Sequence, residues 1–516
     1  MSGRAGVVLA LAVLCGVAAL ALPGIARGDV GFRGPAYPAG TSGPPTTSKP
    51  ESKLWWNDGF WWASMFDGSG DYHIFRLNLR RQSWVDTGVV IDTRNSTRQD
   101  VLSTGSKLFV ASHKFQAVTR EDTNPANDVA DGMRLYRFSY NAAQNRYTLD
   151  SGFPVPIDPQ RAEALVIDRD SQGVLWATWV QQSGGAHRVF VARTNGNCVG
   201  GAPASCAWGS PIQLDTVGAD DISSIVRFGG NKVGVMWSDT PASQMLFSVH
   251  NDGQPNNSGA WSTPEVVIGG PKRAEDHINL KADSAGRVYA VTKTKFSSAA
   301  NPGTMLHRRS TTGNWSSRTV SIASLRRTRP IVLLDPQHNA IRVFESEGNA
   351  VYMKKSRLGS ISFPTHRAGT VVLRDTGSSV GNPTSTKQNV SNGTRLVVLA
   401  SNDQTKRYWH AYQQVIPCIR GNAGNNTLTG TRGDDALCGG GGNDTLRGLG
   451  GDDRLVGGTG NDTLRGYAGR DRFIGGGGGD TIYARDGTRE VVSGGGGFDR
   501  AQVDSSDIRR SIERLL

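Results

Sequence analysis

Between Gly430 and Tyr483 the chain spells one nine-residue unit six times in register: GTRGDDALC, GGGGNDTLR, GLGGDDRLV, GGTGNDTLR, GYAGRDRFI and GGGGGDTIY. The pattern is G-G-x-G-x-D-x-U-x, where U is a large apolar residue. Glycines at the first, second and fourth positions permit the left-handed backbone of a tight turn and let carbonyl groups approach an ion closely. The sixth position carries a carboxylate in every unit: Asp435, Asp444, Asp453, Asp462, Asp471 and Asp480. The eighth is apolar in every unit: Leu437, Leu446, Leu455, Leu464, Phe473 and Ile482. Each unit is thus one polar turn and one short strand with an inward side. A flexible Gly-rich linker has the composition but no reason to hold Asp and Leu in strict phase.

These residues resemble the RTX family, the hemolysin-type calcium-binding nonapeptide repeat, over roughly residues 421–502. The resemblance implies a parallel β-roll in which two nonapeptides make one coil, so aspartates 18 apart stack on one edge. That groups Asp435 with Asp453 and Asp471, and Asp444 with Asp462 and Asp480. Calcium takes six to eight oxygen ligands, which stacked aspartates and glycine carbonyls supply, and no soft zinc or copper donors are present. Several Ca2+ ions are therefore expected, bound structurally. The repeat frays at its ends. Asn426 and Arg489 stand at the sixth position of the flanking turns, and Ser493 reads as an extra residue that shifts the frame and puts Asp499 in the ligand position. RTX proteins commonly leave the cell without an N-terminal signal, whereas this chain carries one. The resemblance therefore points to a stabilising or surface-attaching module rather than an export device.

Arg4, the apolar run from Val7 to Leu22, and small residues around Ala26 form a secretory signal peptide over 1–28, too short and wrongly flanked for a membrane span. The mature chain is expected outside the cell or at its surface, with no transmembrane anchor. Its four remaining cysteines suit an oxidising compartment. Cys198 and Cys206 share one loop, and Cys418 and Cys438 lie about one coil apart. Each set is expected to close a disulfide, since neither has zinc-site spacing. The net charge of +12 comes from scattered basic residues. It favours anionic cell-wall polymers or acidic glycans as partners over nucleic acid.

Residues 29–50 are rich in Pro, Gly, Ser and Thr and read as an extended arm. From 51 to 415 short strands such as VLWATWV and KVGVMWS follow one another without helical periodicity, and 416–516 holds the repeat and its C-terminal cap. A larger period of roughly 50–60 residues overlays the strands, the blade length of a β-propeller. The fold class is all-β, with about seven blades (six being the alternative) followed by the roll. Units open near Ser52, Arg98, Arg161, Asp220, Asp276, Arg329 and Lys387, and the last lacks a clear fourth strand that the arm is able to supply. The fragments HNDGQPNNSGAW and RRSTTGNW resemble decayed Asp-boxes of the sialidase-type (BNR) propellers. No unit shows the full box and the F-R-I-P element is missing.

In a propeller the innermost strands converge on one funnel. Aligned unit openings bring Lys53, Arg98, Asp100, Arg161, Glu163, Asp220, Asp221, Glu275, Asp276, His277, Arg327, Arg329 and Gln388 to that mouth. The ligand-binding candidates among them are Arg98, Asp100, Arg161, Glu163, Asp221, His277 and Arg329. The arginines suit bidentate capture of a carboxylate. Trp55, Trp56, Trp61 and Trp62 offer either sugar-stacking surfaces or blade core. Lipase and zinc-protease readings fail for want of G-x-S-x-G and H-E-x-x-H motifs. Two functions remain for the propeller. One is a module binding extracellular glycan or cell-surface polymer. The other is a glycoside hydrolase or lyase using Asp100, Glu163 or Asp221 as catalytic carboxylates. The absence of a catalytic signature favours binding.

Overall fold

The computed structural model describes residues 29–39, 45–46, 50–79, 81–94, 96–115, 131–391, 394–413, 418–432 and 435–516. The signal segment expected over 1–28 lies outside the described residues, as does part of the arm. Among the described residues no helix is long and apolar enough to cross a membrane.

The apolar runs that stood out in the sequence are strands covered on both faces. Val174–Ser183 and Lys232–Asp239 are buried through their middles without the alternation of a half-exposed strand. Such strands belong in sheets with a neighbour on each side. Seven antiparallel sheets meet this demand as seven blades, and adjacent blades share apolar clusters. The tryptophan cluster belongs to this layer. Trp55, Trp61 and Trp62 are buried in the first blade and Trp56 is half-buried beside Trp61. Their indole N–H groups are used internally: Trp55 donates to Tyr147 Oη at 2.9 Å and Trp61 to the Thr394 carbonyl at 2.7 Å.

The innermost strands are Leu54–Asn57, Thr97–Ser103, Leu165–Arg169, Ser223–Phe228, Ile278–Ala282, Thr328–Asp335 and Gly381–Thr384. The last differs from the expectation that the seventh unit opens at Lys387. GNPT is short and proline-interrupted, without the apolar alternation that marks a strand, so Lys387–Asn389 fall on the connection beyond it. The fourth strand of the seventh blade is Phe32–Ala36 from the arm, which pairs antiparallel with Arg407–Gln413 and closes the ring. Both decayed Asp-box fragments sit on the connection between the third and fourth strands, in the fourth and fifth blades.

Near the axis, side-chain oxygens stitch several inner strands to the next. Asp100 Oδ2 accepts from Ile167 N–H at 2.8 Å, Asp168 Oδ2 from Arg227 N–H at 2.8 Å, and Asn279 Oδ1 from Val332 N–H at 3.0 Å. Gln388 closes the circuit by accepting from Trp56 N–H at 2.7 Å. Each bond satisfies an inner-edge amide that has no strand partner on that side.

The C-terminal part is a parallel β-roll of two six-stranded sheets. Register runs at 18 residues per coil, as in Leu437↔Leu455 and Leu446↔Leu464. The eighth-position residues Leu437 to Ile482, with Val492 and Ala501, fill the space between the sheets. Disulfides join Cys198 to Cys206 and Cys418 to Cys438, with Cα atoms 4.8 and 5.5 Å apart.

Candidate calcium sites and the propeller mouth

The turns of the roll are built around carboxylates. Asp435, Asp453 and Asp471 stack along one edge, and Asp444, Asp462 and Asp480 along the other. In each stack the backbone N–H of one aspartate donates to Oδ1 of the next coil's, at 2.6 and 2.8 Å in the first and 2.7 and 2.9 Å in the second. The second oxygen is left over: Oδ2 of Asp444, Asp462, Asp480 and Asp499 is buried without a hydrogen-bond partner among the described residues. The first-position glycines leave the space these oxygens occupy. A Cβ on Gly457 would strike Asp462 Oδ2 and lie 2.6 Å from the Gly475 carbonyl, and one on Gly475 would strike Asp480 Oδ2.

Stacked carboxylates in such a cradle repel one another. Burial, with the charges of Asp462 and Asp499, pushes Asp480 up to about 6. Buried acid oxygens, bare of partners and lined by glycine backbone, fit a hard oxygen-seeking cation. Residues 419–446 and 447–482 match the RTX calcium-binding nonapeptide repeat. The RTX roll would hold calcium through these aspartates and the neighbouring glycine carbonyls, the ion supplying the positive charge that lets both edges stay ionised.

The roll corrects one reading of the sequence. Register lengthens to 19 residues at Arg472↔Val491 and at Thr481↔Arg500, so the extra residue lies within 484–490 and not at Ser493. Glu490, not Arg489, thereby takes the sixth position, its N–H donating to Asp507 Oδ1 at 2.9 Å. Its carboxylate is buried with both oxygens unpartnered among the described residues. Burial and the acids Asp471, Asp486 and Asp507 push it up to about 9. The sequence shows that one residue is extra but not where, since Arg489 and Glu490 are both charged and either is able to stand in the turn.

No curated protein sequence matches the chain. Among solved structures, the polysaccharide lyase Uly1 aligns with TM-score 0.43 at 9% identity, covering 72% of this chain and 91% of that one. An α-L-arabinanase from Penicillium chrysogenum aligns with TM-score 0.39 at 10% identity, covering 65% and 99%. The fungal lectin of Aleuria aurantia aligns with TM-score 0.34 at 11% identity, covering 53% and 79%.

The charges expected at the propeller mouth separate into two kinds. Some are committed to the scaffold. Asp100 is fully buried; its Oδ1 accepts from Ser52 N–H, and its Oδ2 from Ile167 N–H and, at 2.8 Å, from Lys387 Nζ. Asp221 Oδ2 holds the turn amides of Gly218 and Thr240 at 2.7 and 2.9 Å. Arg161 is paired with Asp131, which Lys114 also engages. Lys53 is buried against Glu51 at 2.9 Å, and His113 Nε2 meets the same carboxylate at 2.7 Å.

The others face one another where the inner strands begin. Arg98 stacks over Phe115 at 3.6 Å and feels the charges of Glu51, Glu163 and Arg329. Glu275 holds both His277 Nδ1 and Lys293 Nζ, and His277 Nε2 lies 3.5 Å from Thr328 Oγ1. Beside this cluster a groove of about 600 Å³ runs between the fifth and sixth blades, lined by Lys293, Phe296, Arg326, Arg327 and Thr328 among others. Arg326 and Arg329 both hold left-handed backbone (φ +49° and +50°). Arginine adopts this conformation at a cost of about 1–2 kcal/mol, and no signal in the sequence marks it. Phe296 and Arg326 were not among the residues expected from the sequence. They lie on connections outside the strand register used to align the units.

Glu275 gives the mouth an acid limit. Burial alone would raise its carboxyl, but the hydrogen bond and charge of His277 and the ammonium of Lys293 outweigh burial and hold it at about 2. A depressed acid contributes stability that is complete above its ordinary value near 4.5 and is lost as pH falls toward 2. Acid titration of thermal stability should therefore show a limb across this window that Glu275→Gln flattens, while an unchanged limb in the variant would locate it elsewhere.

Proposed function

We propose that the protein is secreted and acts at or beyond the cell surface as a calcium-stabilised carbohydrate-binding protein. Its roll takes several Ca2+ ions through Asp435, Asp444, Asp453, Asp462, Asp471 and Asp480. Its propeller binds an extracellular glycan or cell-surface polymer in the groove between the fifth and sixth blades and across the adjoining mouth. The observation that carries the propeller reading is the groove itself. About 600 Å³ of open volume combines an aromatic side chain, Phe296, with Lys293 and Arg326 and lies against the Glu275–His277 pair. This is the mix of an apolar stacking surface and a few convergent polar groups that sugar recognition requires. Two disulfides support passage through an oxidising compartment.

Arg98, Glu163, His277 and Arg329 are the polar ligand contacts in this reading. Asp100, Asp221 and Arg161 support them from the scaffold. The test is a calcium-replete incubation of the protein from Asp29 onward with acidic and neutral glycans, scoring retained ligand and released product together. Retention without product is expected, with Phe296→Ala weakening it about tenfold, the loss of one stacked ring at ~1.4 kcal/mol. Released product would instead make the mouth a hydrolase or lyase site, with Glu163 and the Glu275–His277 pair the first acids and bases to substitute. No retention of any glycan would overturn the reading.

A further inference from the structure

The far end of the propeller channel, where the inner strands finish, is a separate place. A cavity of about 210 Å³ lies there between the inner strands of the first five blades and the connection Thr386–Asn389. Lys281 lines it. The side chain sits on the same side of its strand as Asn279, which reaches across to the next blade, and it is only 4% exposed. Its ammonium has no hydrogen-bond or ion-pair partner among the described residues, unlike the other buried lysines Lys53 and Lys354. An ammonium taken from water without a partner is a costly thing to leave in a fold.

The rest of the lining deepens the imbalance. Arg169, Arg227 and Lys387 join Lys281 in the lining, where Asp168 is the one carboxylate, and Asp100 stands behind Lys387. Both carboxylates are already engaged: Asp100 by Lys387, and Asp168 by the backbone N–H groups of Arg169 and Arg227, each at 2.8 Å. Four cations and two committed anions leave the cavity positive. Burial, with the nearby charge of Lys387, draws Lys281 down to about 7, while Asp100 and Asp168 act the other way. The charge of Arg227 adds to burial in lowering Arg169.

We propose that this cavity is an anion-binding site in which Lys281 is the principal contact, taking one oxyanion group, a carboxylate or a tetrahedral sulfate or phosphate. At ~30 Å³ per water the volume admits such a group with several waters, or a single sugar acid, but not a folded oligosaccharide. The site is distinct from the groove between the fifth and sixth blades and lies at the opposite end of the channel. Bound anion would complete the hydrogen bonding of Lys281 and cancel the repulsion among the four cations.

The probes are sulfate and glucuronate, whose own charges stay constant above pH 6, titrated calorimetrically into the calcium-loaded full-length protein. Saturable binding at one site per chain is expected, weakening about tenfold for each unit of pH above ~7 as Lys281 loses its proton. Lys281→Met should abolish it, and Arg227→Met should weaken it without removing the pH dependence. Phe296→Ala, which tests the glycan groove, should leave it unchanged. Stronger binding of glucuronate than sulfate would identify the source as an acidic sugar, and the reverse a free inorganic oxyanion; either supports the site. Absence of saturable binding by both probes, or binding that survives in Lys281→Met, would overturn the proposal. If Lys281→Met fails to fold, a pH-independent affinity in the unaltered protein overturns it equally.

Discussion

Stripping calcium from the full-length protein with a chelator is expected to melt the roll and leave the propeller standing. The two parts meet the loss differently because their acids are satisfied differently. In the propeller, Glu51, Asp100 and Asp168 find amides, lysines or histidine within the protein. In the roll, Asp444, Asp462, Asp480 and Glu490 keep buried oxygens with no protein partner among the described residues. Each site filled at 100 times its dissociation constant adds about 2.7 kcal/mol, so a few such sites exceed the stability of a domain this small. Limited proteolysis with and without chelator gives the reading: calcium should protect the strands of the roll, and its removal should open them while the blade strands of the propeller stay resistant. Equal protection in both conditions would mean that the apolar stack from Leu437 to Val492 holds the roll alone.

Alanine placed in turn at Gly475, Gly476, Gly477 and Gly478 should give three disabled rolls and one nearly unaffected. The four are identical in the sequence and differ only in what a Cβ would meet. At Gly475 it would strike Asp480 Oδ2 and the Gly494 carbonyl. Gly476 and Gly478 hold φ of +125° and +120°, and a Cβ there would also strike the carbonyls of Gly458 and Gly460 on the preceding coil. Gly477 has an ordinary φ and open space around it. The first change removes a calcium cradle; the second and third add backbone strain to a collision between coils, together at least ~3 kcal/mol each. Gly477→Ala should cost less than about 0.5 kcal/mol. Calcium-dependent unfolding midpoints of the four variants check the order, and uniform loss across all four would show that chain flexibility, not contact, sets the requirement for glycine.

The roll was legible because everything it needs lies within nine residues: turn glycine, ligand and core residue recur in phase, and the fold repeats them in space. The single slip, Arg489 for Glu490, came where an insertion broke that phase. The propeller announced its period through strands buried on both faces, but not its register. GNPT carries no strand signal, and so the pattern points to Lys387 for the opening of a blade that begins earlier. The mouth was harder still. Its residues come from blades far apart in sequence, and charge alone did not separate Asp100, which stitches three blades, from Arg98 and Glu163, which face one another. Lys281 hid for the same reason. In INLKA it reads as one more polar residue on an alternating strand, and only the assembled ring shows that no described residue bonds its ammonium directly.

Closing the ring with Phe32–Ala36 against Arg407–Gln413 sets a timetable for the chain as it is made. The strand Phe32–Ala36 must wait for 371 further positions (407 − 36 = 371) before its partner begins, since no other described strand pairs with it. Until then its edge stays open to any passing strand, the situation in which chains aggregate or swap elements. The strands of the roll, from Ile419–Arg420 to Arg514–Leu515, come after that partner strand. Where the roll would also await calcium, closing the ring and setting the turns become two separate late steps, and the fold would become rigid only after both.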